Sequence, residues 1–159
     1  MSFADSPIAT IIFISTIGLS LYAMYGNQRI YALFILHPWS LVREKKWHQF
    51  ITSGFIHADL THLIFNMITF YFFAFRLEQI VGSISFFIIY FASLVLSDIS
   101  TVIKNKDNPD YRALGASGAI SGVLFSYILF DPLTGIYLFF IPIPIPAFIF
   151  AVLYLLYCF

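Results

Sequence analysis

Thr61-His62-Leu63-Ile64-Phe65-Asn66-Met67-Ile68-Thr69-Phe70-Tyr71-Phe72-Phe73-Ala74-Phe75 contains no Asp, Glu, Lys or Arg, and its strongly polar members are His62 and Asn66. The run reads as a membrane span that extends toward Ile80. Its surroundings agree. Hydrophobic residues make up 60% of the 159-residue chain and charged residues 10%, against roughly 45–50% and 25% in soluble domains. Twenty phenylalanines and ten tyrosines exceed what so small a core can shelter, and a lipid solvent removes that difficulty. The chain is therefore expected to be an all-α polytopic membrane protein.

Working outward, further spans are expected at about Ile8–Tyr25, Ser83–Ile103 and Leu114–Phe130, with a fifth at Ala147–Phe159. The longest connection, Gly26–Leu60, mixes apolar pieces with Arg43, Glu44, Lys45, Lys46 and Trp47. That mixture suits a folded interfacial loop with Trp39 and Trp47 at headgroup level. Asn108-Pro109-Asp110 and Asp131-Pro132 are turn signals. The Ile-Pro alternation at Ile141–Pro146 lacks three backbone donors and predicts an extended lead-in to the fifth span. That last span is thirteen residues, about 20 Å as a helix against a hydrocarbon core of about 30 Å. It reads as the start of a longer segment, so residues 1–159 are expected to be a single transmembrane domain incomplete at its C-terminus. A short, tilted or re-entrant terminal segment is the alternative.

Several classes are disfavoured. Net charge is zero and no basic stripe is present, which argues against nucleic acid as a partner. Cys158 stands alone, so no internal disulfide is possible. The four histidines lack companion ligands, so neither a metal nor another cofactor is expected. The N-terminal residues carry Asp5 and no Lys or Arg, unlike the basic head of a signal peptide. No repeated half suggests a transporter.

Two polar groups carry chemical interest. His62 and Asn66 lie at i and i+4 and share a helix face. Such groups in lipid face the bundle interior, where they either bond neighbouring helices or aim donors at a developing negative charge. Ser117 lies in Gly115-Ala116-Ser117-Gly118, followed by Gly122. The glycines suit close helix packing; the same close approach would bring a base within reach of the serine. His57 is expected to order the loop against the second span, and His37 and His48 to serve loop roles. Glu78 is expected to tie the turn at Gly82-Ser83, and Asp98 to bond inward or snorkel.

The stretch Trp47 to Glu78, with Ser-Gly-Phe-Ile-His at 53–57 and then His62 and Asn66, resembles the rhomboid family of intramembrane serine proteases. Gly-Ala-Ser-Gly at the head of the fourth span and Phe-Phe-Ile-Pro-Ile-Pro-Ile-Pro before the fifth belong to the same likeness. The resemblance implies a rhomboid-like bundle of six core helices, of which five hydrophobic segments are present. It implies Ser117 as nucleophile, with the oxyanion received by the His62 and Asn66 side chains and the Ser117 N–H. The base histidine of that family sits on a sixth helix. In its absence the glycine face of the fourth span is expected to lack a partner. His48 stands where that loop often has arginine.

The implied partners are transmembrane protein substrates and the lipid bilayer, and the implied location is a bacterial inner membrane. A catalytically inactive membrane-protein binder, or a nonfunctional truncated product, is the alternative. Seven basic residues fall on the side of the first connection and Arg76 alone on the other. The positive-inside rule then puts that connection in the cytoplasm, whereas the resemblance puts it outside.

Overall fold

The computed structural model describes residues 3–138 and 141–158. Three helical segments are long and apolar enough to cross a membrane: Pro7–Gly26, Leu60–Val81 and Ser83–Asn105. The first is α1 (Pro7–Leu21) prolonged by a π-helical turn at Tyr22–Gly26. Three short helices follow, α2 (Arg29–Phe34), α3 (Pro38–Arg43) and α4 (Gln49–Thr52), with a 3-10 turn at Ser53–Phe55. The long α5 (Leu60–Val81) and α6 (Ser83–Asn105) come next, then α7 (Ser117–Phe130). A two-stranded antiparallel hairpin, β1 (Gly135–Leu138) and β2 (Ile141–Pro146), leads to α8 (Ala147–Cys158). The five predicted segments are thus helices in an all-α bundle. Phe139, Phe140 and Phe159 of the predicted fifth region lie outside the described residues.

Two boundaries differ from the sequence reading. The second span continues to Val81, because nothing before Gly82 breaks it. There φ is +81°, a conformation open to glycine alone at little cost, and the chain reverses from α5 into α6. The fourth helix starts at Ser117 instead of Leu114. Gly115 has φ +112° and cannot be helical.

The core gathers side chains from α1, α5, α6 and α7 around Phe70, Phe75, Phe86 and Tyr90. Phe70 meets Phe75 and Tyr90 edge-on, at 89° and 80°, the arrangement favoured by ring quadrupoles. The α6–α7 contact corrects an expectation. The face of Gly118 and Gly122 is already covered by α6: a Cβ at either position would run into the Ser97 or Ser93 hydroxyl. Small residues here shorten the interhelical distance, as association in lipid requires, and the partner is a preceding helix of the same chain.

Glu78 has a larger role than the turn alone. Buried at the end of α5, it accepts from Ser83 Oγ at 2.6 Å, as the sequence suggested. It also accepts from the backbone N–H groups of Ile8 (3.1 Å) and Ala9 (2.7 Å). These are donors of the first turn of α1, orphaned by helix geometry and favourably met by a carboxylate. Ser6 Oγ adds a bond to Phe75 O at 3.1 Å. One side chain thus pins the ends of three helices.

The Gly26–Leu60 connection is folded. Leu36 and Ala113 exchange both backbone bonds, at 2.9 and 3.0 Å. The Arg43 guanidinium lies 5.0 Å from the Trp39 ring and pairs with Asp107 at 3.2 Å. His37 Nε2 is bonded to Pro109 O and His48 Nε2 to Leu33 O, each at 3.0 Å. Both histidines are loop ties. At the other end, the extended Ile-Pro stretch is a strand. Because successive N–H groups of a strand point to opposite edges, the proline alternation removes donors from the edge that has no partner strand among the described residues.

Candidate active site

Asp59 caps α5, its Oδ1 accepting the His62 N–H at 2.8 Å. This fixes the first turn of the helix and with it the direction of the half-buried His62 ring. The ring lies against Gly115, so that a Cβ added there would come within 2.7 Å of Cε1 and 3.0 Å of Nε2. His62 and the Gly-Ala-Ser-Gly segment, far apart in sequence, are therefore neighbours.

The segment before Ser117 is sewn down residue by residue. Ala113 pairs with Leu36, the Gly115 N–H donates to Ser53 O at 2.9 Å, and the Ala116 N–H donates to His57 Nε2 at 3.4 Å. Ser53 Oγ in turn donates to Asp98 Oδ2 at 3.1 Å, the inward bond expected of Asp98. Every anchor except Asp98 lies in the connection before α5, which explains why that loop is folded.

His57 packs against His62 of α5, as the sequence reading expected, and does more. It is fully buried and ties the connection to α1 and to Ala116. Its Nδ1 is 3.0 Å from Ser20 Oγ, and that hydroxyl donates to Phe55 O at 3.1 Å. Since Nε2 accepts from Ala116, the proton belongs on Nδ1, and the chain of bonds runs Nδ1–H to Ser20 to Phe55. The Tyr31 hydroxyl donates to His57 O at 2.7 Å. His57 and His62 meet edge-on with ring centroids 4.9 Å apart. Burial, and secondly the neighbouring His62, push the His57 pKa down to about 4, opposed by Asp59.

A pH dependence follows. The folded value lies below the ordinary 6.5, so the unfolded chain binds more protons between these limits. The stabilisation is complete above pH 6.5 and is lost as pH falls toward 4, with a ceiling of about 3 kcal/mol. Melting curves in detergent are expected to drop over this window by more for the parent than for His57→Gln. Parallel curves would show that His57 is not the titrating group.

Ser117 is the first residue of α7 and is exposed. The first intrahelical bond is Ile120 N–H to Ala116 O at 2.9 Å, so the N–H groups of Ser117, Gly118 and Ala119 are first-turn donors without a helical partner. Asn66 is buried one turn below His62, and its Nδ2 donates to His62 O at 2.9 Å. That bond uses one amide hydrogen and leaves the other. Among the described residues no basic side chain is hydrogen-bonded to Ser117, and no cluster of three metal-ligating residues occurs.

The anchors Ser20, Ser53 and Asp59 were not anticipated. Only Asp59 had a local signal of its bond, an aspartate two residues before the predicted helix start. Ser20 looks like an ordinary hydroxyl in apolar sequence, and Ser53 opens the Ser-Gly-Phe-Ile-His stretch of the family likeness with nothing to show which groups it would bond.

The rhomboid domain family model matches residues 44–159. YdcA of Bacillus subtilis, a rhomboid-type protein, is 36% identical over 87 residues, covering 55% of this chain and 43% of its own. The rhomboid protease GluP of the same organism is 31% identical over 85 residues, 54% of this chain and 16% of that one. Rhomboid-related protein 4 of Homo sapiens is 29% identical over 119 residues, 71% and 38% of the two chains. In each case the chain spans less than half of the relative's length. The family match takes in the capped His62 helix, the serine turn and the hairpin before α8, and with the bundle it identifies this chain as an integral membrane protein of the rhomboid family.

Proposed function

We propose that the chain forms one transmembrane domain of an intramembrane serine endopeptidase that cleaves membrane-anchored proteins, with Ser117 as nucleophile. The observation that carries this is the convergence of His62 on Gly115, two residues from a serine at a helix N-terminus. Ser117 Oγ attacks the scissile carbonyl carbon as its proton passes to a base. The carbonyl oxygen becomes an oxyanion, received by His62, the spare amide hydrogen of Asn66 and the first-turn N–H groups of α7. Preorganised donors of this kind stabilise charge at little reorganisation cost, and the helix N-terminus adds its dipole. The amine leaves with the proton, and water then hydrolyses the acyl ester. The base is the histidine that the family resemblance assigns to a further helix, meeting the exposed face of Ser117. The relatives in Bacillus subtilis support a bacterial plasma-membrane location.

A client-binding role without cleavage is the second reading. The two are separated by labelling with a fluorophosphonate followed by peptide mapping. Ser117 is expected to label slowly in the chain alone and at least about a hundredfold faster when a helix bearing the base histidine is joined to it. No acceleration would favour the binder. Strong labelling of the chain alone, abolished by His62→Ala, would make His62 the base and remove it from the oxyanion site.

A further inference from the structure

Asp98 is a half-buried carboxylate inside the apolar span α6, with no ion pair among the described residues. An ionisable side chain in such a span is costly and marks a functional position by default. Among the described residues its bond goes to the connection before α5, where Oδ2 accepts from Ser53 Oγ at 3.1 Å. A carboxylate acceptor makes that bond stronger than one between neutral groups.

Ser53 is where the tie matters. It is buried, and its carbonyl accepts the Gly115 N–H at 2.9 Å. It ends the four-residue α4 and opens a 3-10 turn, a stretch too short to hold its own position. Its neighbour Gly54 is seated on Leu94, one turn before Asp98: a Cβ there would stand 2.8 Å from Leu94 Cδ2. One face of α6 thus holds Ser53 by a hydrogen bond and Gly54 by contact. An adjoining face holds α7, where Gly118 leaves no room for a Cβ against Ser97. Three contacts close a triangle: Asp98 with Ser53, Ser53 with Gly115, and Gly118 with Ser97. Ser117 stands in the chain between Gly115 and Gly118, and the His62 ring rests on Gly115.

We propose that Asp98 is a positioning residue for the serine turn: through Ser53 it fixes the Gly115 backbone, and with it the spacing of His62 from Ser117. The effect on rate rests on the endopeptidase reading, whereas the effect on the Gly115 backbone does not. A misplacement of about 1 Å in a reacting site costs about a hundredfold. Loosening one side of the triangle is therefore expected to cost on the order of tenfold.

Two readouts test it. Amide hydrogen exchange followed by mass spectrometry reports on the backbone of the chain in detergent. Fluorophosphonate labelling reports on Ser117 in the form carrying the base helix. Asp98→Leu, which removes the acceptor, is expected to speed exchange in the peptide containing Gly115 by about tenfold and to slow labelling on the order of tenfold. Ser53→Ala breaks the same bond from the other side and should do the same, which keeps the test open if Asp98→Leu does not fold. Asp98→Asn retains an oxygen for Ser53 Oγ and should return both readouts to within about threefold of the parent. In a Ser53→Ala background, Asp98→Leu should add nothing further, because the two changes remove one bond. Parent-like exchange at Gly115 in both Asp98→Leu and Ser53→Ala would overturn the assignment, as would faster exchange with labelling at the parent rate. Asp98→Asn behaving like Asp98→Leu, or a further loss from Asp98→Leu in the Ser53→Ala background, would overturn it too. A parent protein whose Ser117 never labels would remove the endopeptidase reading, and exchange at Gly115 would still decide what Asp98 holds.

Discussion

Glu78→Ala is expected to lower the stability of the bundle by about 3–5 kcal/mol. The carboxylate takes the Ile8 and Ala9 amides and the Ser83 hydroxyl, and it is buried. Alanine would deprive all three donors of this acceptor, the Ala9 N–H in a buried position and the other two in partly buried ones. Each unmet donor costs about 1–3 kcal/mol, and the favourable charge at the α1 N-terminus goes with them. Glu78→Gln retains one acceptor oxygen but turns an amide NH2 toward a donor, so its loss should be intermediate. Thermal unfolding in detergent is the measurement. If Glu78→Ala melted within a few degrees of the parent, the Glu78 bonds would not be what holds α1 in place.

Gly115→Ala is expected to act in the opposite way, with a modest effect on stability and a severe one on chemistry. Its φ of +112° is strained for any residue with a Cβ, at about 1–3 kcal/mol. The added methyl would also stand 2.7 Å from His62 Cε1, so the ring must swing away. On the proposed assignment this removes an oxyanion donor, worth about 10²–10³ in rate. Fluorophosphonate labelling of Ser117, in the form carrying the base helix, is expected to slow by that factor while the melting curve shifts by only a few degrees. Labelling at the parent rate in a folded Gly115→Ala protein would take His62 out of the site. If the protein failed to fold, His62→Ala, which leaves the backbone alone, would report on the same donor.

Both effects depend on contacts that sequence separation hides. The segment lengths, the folded connection and the extended Ile-Pro strand were legible locally, because each follows from the solvent or the backbone. Lipid demands apolar runs of set length, a mixed aromatic and basic stretch suits an interface, and proline alternation forbids a helix. His62, Asn66 and Ser117 drew attention for the same reason, being polar groups in apolar sequence. The glycine stripe was legible as a packing face, but its partner was not. Gly118 and Gly122 meet Ser97 and Ser93 of α6, and a small-residue face says how close a helix comes without saying which helix.

Sequence alone therefore determined the class of solvent, the helical segments and the family likeness, since hydrophobicity and motif spacing are properties of the chain read in order. Tertiary structure decided what each polar group touches. Glu78 reaches α1 across about seventy residues, His57 bridges Ser20 and Ala116, and His62 rests on Gly115. A buried donor or acceptor must find a partner, and that demand can be read from sequence. Which partner meets it depends on how the helices cross and where the loops return, and that is decided only when the bundle packs.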